Sequence, residues 1–265
     1  MAKGYWVVRT YEAGNVGEKT KFWIPGERPS KSQRREKSEI KKQEQNEASA
    51  VKNLARLLNA NFHAGDLLLG LDYSDEGMKR VVARAEGMGV SRENEEAFTE
   101  AVRQAAEHEL RLVFRRVKRD IGAFEYIGVT PDMDGETGEV VRVHHHIVVK
   151  AEAKESFLEK WKELGSVDWA FMKAQEDYMP IAEYLMQQVR RVPDAKKYIS
   201  SRNLIRPKPR DRVVVSGAEL RAPRGSRLVH RNEYKPGLPQ YIRYILPEAV
   251  ERMQAQREAY SIMRE

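Results

Sequence analysis

Cysteine is absent from all 265 residues. That excludes a disulfide scaffold, a thiolate zinc site, an iron–sulfur cluster and a cysteine nucleophile, and it fits a reducing compartment. No stretch approaches the ~18 consecutive apolar residues of a membrane span, so no membrane partner is expected. The opening MAKGYWVVRTYEAG has no basic segment followed by an apolar one, unlike a signal peptide. A Walker-type Gly-Lys-Ser/Thr segment is also missing, so no nucleotide cofactor and no fused helicase are expected. Hydrophobic residues nevertheless make up 41% of the chain and charged residues 33%. That is enough apolar material for a core, in one large domain or two small ones.

Acidic charge is scarce in one region only. Between Gln187 and Arg231 there are 13 Lys or Arg against three acids, a local excess of +10. The net charge is +7, so the remaining chain sums to −3. A soluble face normally mixes both signs. Segregated basicity is expected of a surface that follows phosphates, and the candidate contacts are Arg190, Arg191, Lys196, Lys197, Arg202, Arg206, Lys208 and Arg210.

Residues 5–10 read as a strand, and 16–46 as a polar, mixed-charge arm leading into a helix over 46–60. Asp66–Leu71 reads as a buried strand. Residues 74–88 and 92–118 read as helices, the second with Ser91 as N-cap. Strands follow at 124–130, 140–150 and 167–172, and helices at 153–164 and 177–189, the last with Pro180 in its first turn. From 66 to 189 the order is β-α-β-β-α-β-α. The expectation is an α+β fold with a ferredoxin-like (split βαβ), mainly antiparallel sheet and helices on one face. The expected organisation is an N-terminal strand and arm (1–45), a central domain (46–192) and a basic, Pro-containing extension packed on it (193–265).

Arg142-Val143-His144-His145-His146-Ile147-Val148-Val149 is the sharpest local signal. Strand side chains alternate. His145 shares a face with Val143, Ile147 and Val149, and that face is read as the core side. His144 and His146 then project together from the other side, where two neutral imidazoles can hold a divalent ion. The competing reading is an incidental histidine patch on the surface. In DYMPIAEYLMQQVRR, Ile181, Tyr184, Leu185 and Gln188 share a helical face. By itself Tyr184 is a packing residue with its hydroxyl at the rim. A paired-His strand followed by a helical tyrosine, however, suits metal-assisted attack on a phosphodiester. The metal draws charge from the phosphate, which helps because a phenol is largely protonated at neutral pH.

These motifs, in this order, resemble the HUH-endonuclease superfamily, in particular the rolling-circle replication initiators of bacteriophages and plasmids. The resemblance runs through NLARLLNANFHAGDLLLGLDYS, RLVFRRVKRDIGAFEYIGVT, VHHHIVV, IAEYLMQQ and KKYISSRNLIRPKP. It implies His144 and His146 as metal ligands, Mg or Mn as the ion, and Tyr184 as the nucleophile. The implied activity is site-specific nicking and rejoining of single-stranded DNA at an origin or hairpin through a 5′-phosphotyrosine. It also implies a bacterial cytoplasm as the site of action, with a host helicase and polymerase as partners.

Three positions depart from the family pattern. Gln187 stands where a helper lysine usually follows the tyrosine. Pro131 stands where a third ligand, glutamate, often ends the preceding strand. Asp72 replaces a threonine, and is read either as the missing oxygen ligand or as a strand-end residue capping a turn. Glu125 is a weaker ligand candidate, and Tyr178 is read as packing. Two alternatives within the superfamily are a DNA-binding module with weakened chemistry and a mobilisation relaxase. RNA binding on a ferredoxin-like sheet is the third, and against it no aromatic pair is evident on the expected strands.

Overall fold

A computed structural model describes residues 4–26, 39–134, 136–137, 139–189, 197–215 and 217–262. In chain order its elements are β1 (Tyr5–Ala13), β2 (Val16–Ile24), α1 (Glu39–Asn61), β3 (Leu67–Tyr73), α2 (Asp75–Glu86), α3 (Glu95–Ile121), β4 (Tyr126–Val129) and β5 (His145–Val149). After a 3-10 turn (Ala151–Ala153) come α4 (Lys154–Trp161), β6 (Gly165–Phe171), α5 (Met179–Gln187), β7 (Ile199–Ser200), β8 (Arg210–Val214), β9 (Arg227–Arg231), β10 (Gln240–Ile245) and α6 (Pro247–Ile262). The fold is α+β, with two antiparallel sheets. The chain divides into two units, one made of Met1–Ala60, Glu176–Tyr178 and Ile205–Glu265, the other of Asn61–Gln175 and Met179–Leu204.

The first unit carries the sheet β8-β1-β2-β10-β9. Residues 16–24, expected as part of a polar arm, are a full strand paired with β1 from Ala13↔Val16 to Tyr5↔Ile24. The hairpin turns on Gly14-Asn15. Gly14 has φ +56°, and a Cβ there would stand 2.0 Å from the Asn59 carbonyl oxygen, so both conformation and space demand glycine. The strand reads as polar, yet two of its charged residues, Glu18 and Lys21, are buried with partners. Lys21 lies 5.2 Å from the Trp6 ring and donates to the Ala218 carbonyl. Glu18 is 2% exposed and accepts from Arg56 (2.6 Å) and Arg243 (2.7 Å). Arg243 also forks onto Asp177 with two 2.5 Å bonds. β10 pairs with β2 and β8 with β1, so the first and last segments of the chain form one sheet. The expected separation into an arm and a basic extension does not describe this pairing.

The second unit carries the sheet β6-β3-β5-β4-β7, every neighbouring pair antiparallel. On one face Leu67, Leu69, Leu71, Ile147 and Val149 pack with Leu110, Val113, Phe157 and Trp161 from α3 and α4. α2 is capped by Ser74 as its chemistry suggests, with Gly77 N–H donating to Ser74 Oγ at 3.1 Å. The cap of α3 is Asn94, not Ser91: Asn94 Oδ1 accepts from Ala97 N–H at 3.1 Å, while Ser91 closes the turn before it. The expected long strand 140–150 is in the ladder only over His145–Val149. Val141 N–H instead bonds to Asp132 and His144 N–H to Pro131, making an irregular hairpin before the strand.

His145 has the buried place assigned to it. It is fully enclosed, and burial pushes its pKa down to about 3. Tyr73 Oη lies 2.9 Å from His145 Nε2 and 3.2 Å from the Ala106 carbonyl, and Thr130 Oγ1 lies 3.0 Å from Nδ1. One proton assignment satisfies all three contacts: Thr130 donates to Nδ1, Nε2–H donates to Tyr73, and Tyr73 donates to Ala106. Tyr73→Phe is expected to leave the buried His145 Nε2–H unpaired, while the Ala106 carbonyl keeps its bond within α3, and to lower stability by about 1–3 kcal/mol, which urea denaturation reads.

Candidate functional site

β5 runs beside β3, with His146 opposite Gly70 and His145 opposite Leu71. The same Gly70 pairs on its other side with Asp168 of β6. Alternation therefore places Leu68, Gly70 and Asp72 on the face of the sheet that carries His146, with Asp168 and Ala170 beyond them. This face is the floor of a cleft of about 700 Å³, to which His144, Asp134, Glu136, Tyr184, Gln187 and Gln188 also contribute. Gly70 puts no side chain between His146 and Asp168, which keeps the floor open.

α5 lies on the His146 side of the sheet, so the helices are not confined to one face as expected. Its apolar side, Ala182, Leu185 and Met186, is buried. Tyr184 and Gln187 are thereby turned outward. Tyr184 is 47% exposed, its ring 5.6 Å from that of His146. It is therefore not the packing residue its helical spacing suggests in isolation. Pro180 sits in the first turn, where its missing N–H costs no helical bond.

The two imidazoles stand with ring centroids 5.0 Å apart and planes at 89°. His144 Nδ1 lies 3.1 Å from the Arg142 carbonyl, so the neutral ring carries its proton there and leaves the Nε2 lone pair free. His146 Nε2 lies 3.1 Å from Gln188 Oε1, while the Gln188 amide nitrogen donates to the Tyr184 carbonyl at 3.3 Å. Burial, and then the neighbouring His144, push the His146 pKa below the usual histidine value. The Gln188 bond and the Asp72 charge oppose the shift. His146 is therefore a neutral ring at neutral pH.

Among the described residues, no three His, Asp or Glu side chains converge as a metal-binding group. The donor chemistry still fits a divalent cation, with two imidazoles and the carboxylates of Asp72 and Asp168 in one cleft. Asp72 is exposed, and its carbonyl is anchored by Trp161 Nε1–H at 3.1 Å. For His146 Nε2 to face an ion, Gln188 has to release it.

The remaining candidates fall elsewhere. Pro131 is buried where the hairpin leaves β4. Glu125 faces Lys150 at 3.6 Å, and Tyr178 is buried in the first unit, in keeping with a packing role. Arg190, Arg191 and Lys196 lie outside the described residues. Lys197 and Arg202 belong to the second unit, and Arg206, Lys208 and Arg210 to the first. Arg210 is paired with Glu12, and further along the basic segment Arg231 is paired with Glu219. Asp168 and the Gln188 contact were missed by sequence reasoning. The signal for Asp168 was a lone carboxylate in an otherwise apolar strand. No protein-family model matches the chain, and no curated protein or solved structure is significantly similar to it.

Proposed function

We propose that the protein nicks and rejoins single-stranded DNA through a 5′-phosphotyrosine, as a rolling-circle replication initiator of the HUH kind. The observation that carries this reading is the half-exposed Tyr184 beside His146 and His144 in one open cleft, on the sheet face away from the helical core. The strand order, in which β3 and β4 run the same way on either side of β5, supports a ferredoxin-like framework. A Mg or Mn ion, when bound, would draw negative charge from the scissile phosphate. His144 and His146 would hold it, with Asp72 or Asp168 as the oxygen donor. Tyr184 Oη forms the bond to phosphorus and loses its proton to solvent, the P–O3′ bond breaks, and the 3′-oxygen leaves protonated. Rejoining runs the same exchange backwards, so the bond energy is kept in the phosphotyrosine. The outlying arginines and lysines would supply salt-dependent affinity for the phosphates.

The contact between Gln188 and His146, with Gln187 in place of a lysine, favours a second reading: a DNA-binding module whose chemistry is weakened. Covalent capture separates the two. Incubated with a single-stranded DNA library and Mn(II), the protein is expected to form an adduct at Tyr184 that survives a denaturing gel. Binding without any adduct in Mg or Mn would leave the second reading. His144→Ala and His146→Ala are each expected to cut adduct formation by about 10²-fold or more, given the size of charge-stabilising effects on such steps. Unchanged rates in both variants would remove the metal assignment.

A further inference from the structure

β6 is an edge of its sheet, and its residues from Asp168 to Phe171 are exposed, while Val167 packs against the core. Two of them are large aromatics at strand spacing. Trp169 is 43% exposed and Phe171 58%, with ring centroids 5.4 Å apart in an edge-to-face contact. Their partners in the ladder are Leu69 and Leu67, so the rings stand on the side of the sheet opposite Asp168 and Ala170, at its free margin. Lys154, the first residue of α4, holds its ammonium 3.4 Å from the Trp169 ring centroid. An apolar, unpaired edge of this length is an association hazard unless something covers it. The aromatic pair was overlooked in the sequence, although Trp169 and Phe171 sit two apart in a segment read as a strand.

We propose that Trp169, Phe171 and Lys154 form a stacking platform for the bases of a single-stranded nucleic acid that crosses the β6 edge on its way to or from the cleft. Two observations favour this occupant over a second copy of the chain or a peptide strand. Trp169 contributes to the lining of the same cleft as His144, His146 and Tyr184, so the platform and the cleft are continuous around one strand. The cation beside the ring, whose ion pair with the exposed Glu155 is a loose 3.9 Å, can meet a phosphate that follows a stacked base. Exposed aromatics next to a basic group are also how sequence-tolerant strand binding is built, since every base has a π-face. The inference rests on the proposed substrate class, not on the nicking step.

The test is equilibrium binding of a labelled thymidine homopolymer, and of the same oligonucleotide with its bases removed, to the full chain. Trp169→Ala and Phe171→Ala are each expected to weaken homopolymer binding about 5- to 150-fold. Trp169→Phe should stay within about threefold of the parent, and the abasic strand should bind the parent protein and Trp169→Ala alike. Thermal melts check that the variants fold. If the alanine variants bind as the parent does, or if the parent does not distinguish abasic from normal DNA, the platform is wrong and the Tyr184 chemistry is untouched. Loss of a dimer on Trp169→Ala with unchanged DNA affinity would overturn it in favour of self-association. A parent protein that binds neither oligonucleotide sinks both the platform and the proposed function. An absent Tyr184 adduct with the stacking losses in place would sink only the nicking step.

Discussion

Replacing Tyr184 with phenylalanine is expected to abolish the denaturation-resistant DNA adduct while leaving DNA affinity within about twofold. The ring keeps its place, because the burial of α5 depends on Ala182, Leu185 and Met186 and not on the phenol. What is lost is the oxygen that bonds to phosphorus. Removing the nucleophile of a hydrolytic triad costs about 10⁶-fold, and a covalent adduct cannot form at all without the oxygen, so none should be detectable. Mass spectrometry of the digested adduct from the parent protein would place the phosphodiester on the tyrosine. Capture by Tyr184→Phe at the parent level would sink the nucleophile assignment and turn attention to another hydroxyl. Capture lost together with DNA binding would mean instead that the phenol contacts the strand without reacting.

The cleft was largely legible because its parts are local patterns. The alternation through His144, His145 and His146 separates buried from cleft-facing rings without reference to anything distant, and the structure buries His145 while leaving its two neighbours in the cleft. The ordering of strands and helices between 66 and 189 was equally readable from periodicity. Asp168 was harder, since its relation to His146 exists only through Gly70, the residue that β3 presents to both neighbours. β2 was misread for an energetic reason: polarity was taken as exposure, whereas Glu18 and Lys21 are buried with partners. Those partners come from α1, from β10 and from the stretch after β8. Arg243 lies 225 positions from Glu18, and no window along the sequence contains both. The same distance hid the first unit as a whole, because β1 and β2 complete their sheet only with strands from the end of the chain.

That long-range ion cluster carries the largest expected effect on stability. Arg243→Ala is expected to destabilise the first unit by about 3–5 kcal/mol, the usual cost of stranding buried charges. Arg243 is 2% exposed and bridges Glu18 and Asp177, its pKa raised by the Asp177 hydrogen bonds against the effect of burial. Removing it takes a buried cation from Glu18, also 2% exposed, which keeps Arg56, and from Asp177, which keeps the Asn59 amide at 3.0 Å. The attraction is not the source of the loss so much as the desolvation left uncompensated, and this distinction can be measured. Arg243→Met combined with Asp177→Asn should recover part of the stability lost by Arg243→Met alone, because that carboxylate no longer needs a counter-charge while Glu18 keeps Arg56. Added salt should change the parent's stability little at this site, since buried pairs are poorly screened. Urea denaturation of the single and double variants at low and high salt reads both expectations. An Arg243→Ala protein within 1 kcal/mol of the parent would mean that water reaches the carboxylates, and that the joining of the two ends of the chain depends on the hairpin and the β10 ladder alone.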